Sequence, residues 1–75
     1  MNFDQQVDAS GLLCPLPLLK SKRQLNQMQS GQVLRLIATD HNAESDLRKF
    51  CDQSGHHLLL TEQFEEQQII YLQKK

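Results

Sequence analysis

The sequence predicts an α/β (α+β) fold, a two-layer sandwich of order βαβαββ with two helices on one face of a four-stranded mixed sheet. Three observations predict it. Short β-type runs alternate with helical spacing along the first two thirds of the chain. Turn or stop signals fall at Ser10-Gly11, Ser30-Gly31 and Gly55. Two strand-like runs close the chain, divided by a polar turn at Glu65-Glu66. At 75 residues, the chain forms one domain spanning 1–75.

Each element follows in order. Gln5 to Ala9 is a first strand with Val7 as its apolar anchor. Cys14-Pro15 opens a helix, because proline at the first helical position gives up an N–H that has no partner there. That helix runs to about Gln29, with Leu18, Leu25 and Met28 as its inward stripe. Val33 to Ala38 is a second strand on which Leu34, Leu36 and Ala38 share a face. Asp40-His41-Asn42 caps a second helix over Ala43 to Ser54, with Ala43, Leu47, Phe50, Cys51 and Ser54 turned inward. Glu44 and Asp46 near its start and Arg48-Lys49 later suit the helix dipole. His57 to Gln63 and Gln68 to Gln73 are the last strands. Right-handed strand–helix–strand crossovers place both helices on one sheet face. The other face is then open to water, which accommodates Arg35 inside the second strand.

Composition narrows the function. A domain this short buries only roughly 60% of its unfolded surface, so a site on the surface is favoured over a deep cavity. The net charge of −1, with both signs interspersed, argues against direct nucleic-acid binding. The few aromatics, Phe3, Phe50, Phe64 and Tyr71, make no stacking platform. Met1-Asn2-Phe3-Asp4-Gln5 lacks the basic start and apolar stretch of a signal peptide. The apolar run from Leu12 to Leu19 is too short to span a bilayer, so a cytoplasmic protein with no membrane association is expected. Two cysteines are too few for a disulfide scaffold. His41, His56 and His57 lack ligand spacing around either thiol, so no metal or other cofactor is expected.

Cys14 is the candidate functional residue. If Pro15 is the first helical residue, Cys14 is the N-cap and its sulfur faces the unpaired amides of the helix. The helix field stabilises an anion there, so the thiol pKa is expected below that of a free cysteine. Pro17 has no N–H to give, which leaves Leu16 as the donor. The sulfur would then be partly ionised, poor in donors and held outward by a rigid first turn. Lys20, Lys22 and Arg23 follow in the same helix and form a solvated face or a docking patch for an acidic partner. A purely structural cysteine is the alternative, although Ser, Thr, Asp or Asn would cap better.

Cys51 lies on the apolar side of the second helix and reads as a buried structural thiol, which argues against a disulfide to Cys14. The three histidines read as structural or solvated. Leu12, Leu13, Leu16 and Leu19 flank Cys14 and do not all fit the inward stripe. They form either an exposed apolar collar suited to docking or a set packed under the sheet edge.

The run Asp8-x-x-Gly11-Leu12-x-Cys14-Pro15-x-Pro17, followed by a helix and an apolar strand, resembles the TusA/SirA-like family of sulfur carrier proteins. Asp40, Ala43, Asp46, Phe50-Cys51 and Gly55-His56 fall at spacings similar to the family's. The resemblance implies the βαβαββ sandwich and a persulfide carried on Cys14, with Asp8, Gly11, Leu12, Pro15 and Pro17 as its supporting motif. It also implies a sulfur-donor protein, a cysteine desulfurase or a rhodanese, and a sulfur-acceptor protein, with tRNA thiolation or sulfur assimilation downstream. The family's tRNA-thiolation member has Arg where this chain has Leu13 and Pro where it has His41. Those departures bear on the choice of partner.

With no base or oxyanion hole assigned beside Cys14, the chain reads as a carrier rather than a complete enzyme, and a monomer that docks to several partners is expected. Two alternatives stay open. One is a regulatory or adaptor module that uses the apolar surface around Cys14. The other is a thiol-dependent sulfurtransferase.

Overall fold

The structure is a computed structural model that describes residues 2–75. Its elements are β1 (Gln5–Ala9), α1 (Leu16–Asn26), β2 (Val33–Ala38), α2 (Ala43–Ser54), β3 (His57–Phe64) and β4 (Gln67–Gln73). The four strands form one sheet in the order β1-β2-β4-β3. β1 pairs parallel to β2, and β4 pairs antiparallel to both β2 and β3. β3 therefore runs parallel to β2 with β4 between them, which makes β2–α2–β3 a crossover over the last strand.

Period-two alternation makes the core. Leu34, Leu36 and Ala38 of β2 pair with Leu72, Ile70 and Gln68 of β4, and the five apolar members of that set are buried. Leu25 of α1 and Ala43, Leu47 and Cys51 of α2 join the same cluster, so both helices cover one sheet face. The opposite face carries Arg35, which donates to the Tyr71 hydroxyl (3.2 Å) and to Gln6, and lies 5.6 Å from the Phe3 ring centroid. This is the face expected to be open. Its charged residue is stabilised by a cross-strand hydroxyl and an aromatic ring.

Helix α1 departs from expectation at both ends. It stops at Asn26, short of Gln29, because the amides of Gln27 and Met28 turn to the carbonyls of Gln24 and Leu25 (3.0 Å each). That tighter turn brings Met28 into the core. At the other end the N-cap is Pro15, and Leu16 and Pro17 are the first two helical residues. Pro17 and Ser21 are fully buried on its inner face alongside Leu25, while Leu18 is only partly covered. Helix α2 has the expected bounds and closes on Gly55 at φ 88°, whose N–H bonds to the Cys51 carbonyl at 2.9 Å.

Candidate functional site

The parallel strands β1 and β2 end side by side at the pair Ala9–Ala38, so the loops that follow them are neighbours. Parallel sheets place their sites at this carboxyl end. The first loop begins with Asp8, whose Oδ1 accepts the Ser10 amide at 2.9 Å; the Ser10 side chain first, and then that amide, hold its carboxyl below the usual carboxylate range. Gly11 then takes φ 78°, a left-handed conformation that other residues adopt at a cost, and its N–H donates to Thr39 Oγ1 at 2.8 Å. The Leu12 amide returns to the Ala9 carbonyl (3.2 Å), and its side chain packs partly against the core.

Cys14 follows, exposed and not disulfide-bonded. Its N–H donates to Asp40 Oδ2 at 2.6 Å, and Asp40 Oδ1 accepts the Asn42 amide at 3.0 Å. One carboxylate thus ties the cysteine loop to the start of α2. The second loop supplies two acceptors to the first, Thr39 for Gly11 and Asp40 for Cys14. The Cys14–Pro15 peptide is cis.

The sulfur is not an N-cap. It lies one residue before the cap, and the Leu16 amide expected to face it donates instead to the Leu13 carbonyl at 2.9 Å. The Cys14 thiol is itself the donor, to Asp46 Oδ2 at 3.1 Å. The thiol pKa is therefore raised, where the helix field alone predicts a lowered one. The hydrogen bond to Asp46 is the main cause, with desolvation and the charges of Asp46 and Asp40 acting the same way. Asp46 is also the titratable group that sequence reasoning left unassigned beside Cys14. In the sequence it stands as an acid near the start of a helix and at a spacing similar to the family's, with no local sign of which loop it faces.

An open groove of ≈ 410 Å³ runs from Cys14 between the helices. Leu18, Leu19 and Lys22 line it from α1, and Asp46, Lys49, Phe50 and Gln53 from α2. The spacing of the α2 set places it on one helical stripe. Around the sulfur Leu13, Leu16 and Leu19 are 72%, 46% and 51% exposed, so three of the four flanking leucines form an apolar collar and Leu12 packs inward. Pro15 is exposed beside them, whereas Pro17 is buried.

Other candidates lie elsewhere. Cys51 is buried in the core, and burial pushes its thiol pKa up, as suits an inert residue. His56 is buried against Phe50, with ring centroids 5.5 Å apart, and its Nδ1 accepts the Lys75 amide at 3.1 Å. His41 and His57 are exposed.

A family model described as "Sulfurtransferase TusA" matches residues 5–75. The chain belongs to the TusA family. It is 53% identical over 58 residues to the sulfur carrier protein TusA of Allochromatium vinosum, covering 77% of this chain and 76% of that one. It is 36% identical to the TusA of Pseudomonas syringae pv. syringae over 75 residues, all of this chain and 88% of the relative. The crystal structure of a SirA-like protein from Desulfitobacterium hafniense superposes with a TM-score of 0.83 at 20% identity, covering 93% of this chain and 96% of that one. That match supports the α+β sandwich. Among the described residues, no helix is long and apolar enough to cross a membrane.

Proposed function

We propose that this TusA-family chain is a sulfur carrier that holds a persulfide on Cys14. The observation that carries the reading is the setting of that sulfur: exposed, bonded to a single carboxylate, and placed at the end of an open groove with an apolar collar. A carrier needs a sulfur that two different proteins can reach in turn, and an open groove allows this where an enclosed chamber would not. Lys22 and Lys49 line the groove and offer positive charge to a persulfide anion. Leu13, Leu16 and Leu19 supply apolar contact for a partner, and Lys20, Lys22 and Arg23 on α1 suit an acidic surface.

In this reading a cysteine desulfurase or a rhodanese loads Cys14, and an acceptor protein unloads it in tRNA thiolation or another assimilation route. The carrier works as a cytoplasmic monomer. Asp8, Gly11, Leu12, Pro15 and Pro17 shape the loop and the first turn that present the sulfur. The test is intact mass after incubation with a desulfurase and cysteine, or with a rhodanese and thiosulfate. The expected product carries one additional sulfur that reductant removes. Protein that binds these partners yet gains no sulfur from either would favour the adaptor reading. Sulfur turnover with no partner protein would favour a stand-alone sulfurtransferase.

A further inference from the structure

Asp46 stands 32 residues from Cys14 in the chain, yet its Oδ2 receives the Cys14 S–H at 3.1 Å. Among the described residues, four charged groups face the sulfur or line its groove: Asp40 from the loop after β2, Asp46 and Lys49 from α2, and Lys22 from α1. Asp40 Oδ2 is engaged by the Cys14 amide, so its contribution to the sulfur is through space. Asp46 differs because it meets the reacting atom directly.

We propose that the Asp46 carboxylate is a proton lock on the unloaded carrier: it holds Cys14 as the thiol and releases it when a persulfide donor reaches the sulfur. The inference rests on the sulfur-carrier reading for its meaning. A carboxylate can accept this hydrogen bond only while Sγ keeps its proton, because a thiolate has nothing to donate and is repelled. The raised thiol pKa follows from the same contact. Loading breaks the Cys14 Sγ–H bond and the S–S bond of the donor persulfide, and forms a new S–S bond from Sγ to the donor's outer sulfur. The electron pair of the broken S–S bond leaves on the donor's inner sulfur, which takes the proton from Cys14. One S–S bond replaces another, so no oxidant or reductant is required. Once loaded, Sγ carries no proton for Asp46 to hold, and an anionic outer sulfur is repelled by that carboxylate. Asp46 thus distinguishes the empty carrier from the full one. It keeps the empty thiol quiet toward stray electrophiles and turns the bound sulfur away from itself.

The experiment is the pH dependence of iodoacetamide alkylation in a Cys51→Ala chain, where Cys14 is the one thiol, compared with the same chain carrying Asp46→Asn. The expected midpoint for Asp46→Asn lies at lower pH. Its rate near about pH 7 rises roughly threefold, because the gain in thiolate is partly offset by lower nucleophilicity (Brønsted coefficient about 0.4–0.5). For that same reason its high-pH plateau falls below that of the parent, so the two curves cross. Coincident curves overturn the lock, as does a rate raised equally at every pH, which a merely loosened loop would give. Asp46→Ala, checked for fold by circular dichroism, must shift the midpoint in the same direction, and a shift to higher pH in either variant also overturns it. Loading both chains with inorganic polysulfide separates the two readings. A shifted profile with no sulfur gained by either chain overturns the carrier reading and leaves the lock standing. Sulfur gained with an unshifted profile overturns the lock alone.

Discussion

Cys14 is held by two different carboxylates, its backbone by Asp40 and its sulfur by Asp46. The division separates placement from reactivity. Asp40→Ala removes the acceptor for the Cys14 and Asn42 amides, and is expected to cost about 1–2 kcal/mol in urea unfolding, since hydrogen bonds to charged groups contribute about 1.5–3 kcal/mol when sheltered and these are not. Half of that role was legible. Asp40 sits where a helix start needs an acceptor, but its second oxygen reaches back 26 residues to Cys14, a distance for which local sequence carries no sign. The thiol pKa illustrates the same limit. Helix proximity predicts a lowered value, and one long-range carboxylate reverses the direction. His56 gives a second prediction at this scale. Its folded pKa lies below the ordinary value near 6.5, chiefly because burial disfavours the charged ring, with Lys74, Lys75 and His57 adding to it. The unfolded chain then binds the proton more readily, so stability is full above about pH 6.5 and falls as pH drops from there toward the folded pKa. Urea midpoints measured between about pH 5 and pH 7.5 should show this decline, and His56→Gln should flatten it.

Among the elements, β1, β2 and α2 have the bounds that their residue pattern assigns. Gly55 supplies the stop for α2 at φ 88°, and a Cβ placed there would lie 3.3 Å from the Lys75 side chain. Gly55→Ala is therefore expected to destabilise the fold by about 1–2 kcal/mol, the cost of an L-residue in the left-handed region, as read from denaturant midpoints. Helix α1 was harder to bound. Nothing between Asn26 and Ser30 breaks a helix by residue type, yet the chain turns early and brings Met28 into the core. Its start differs from the expected one by one residue, since Cys14-Pro15 and Pro15-Leu16 are both acceptable openings and tertiary contacts decide between them. Leu47 tests the packing of α2. It is fully buried, and Leu47→Ala is expected to cost about 2–5 kcal/mol by the same measurement.

For the molecule as a whole, the two-layer sandwich sets a division of labour. One sheet face and both inner helix faces make the core, and the carboxyl ends of β1 and β2 with the groove between the helices present Cys14. The fold was legible because strand and helix periods alternate so plainly. Which leucines remain outside was not, because Leu12 and Leu13 are adjacent and identical in chemistry, and only the loop geometry turns one inward. Leu13→Gln should leave stability within about 0.5 kcal/mol, as for other exposed positions. It should slow loading by a protein donor while leaving loading by inorganic polysulfide unchanged, and equal slowing by both would count against a docking collar. The most direct test of a persulfide on Cys14 is to locate the sulfur. Protein loaded by a desulfurase or a rhodanese is digested without reductant and mapped by mass spectrometry, alongside Cys14→Ser and Cys51→Ala. One reducible sulfur is expected on the peptide containing Cys14, absent in Cys14→Ser and retained in Cys51→Ala. Sulfur on Cys51, or its persistence in Cys14→Ser, would contradict it.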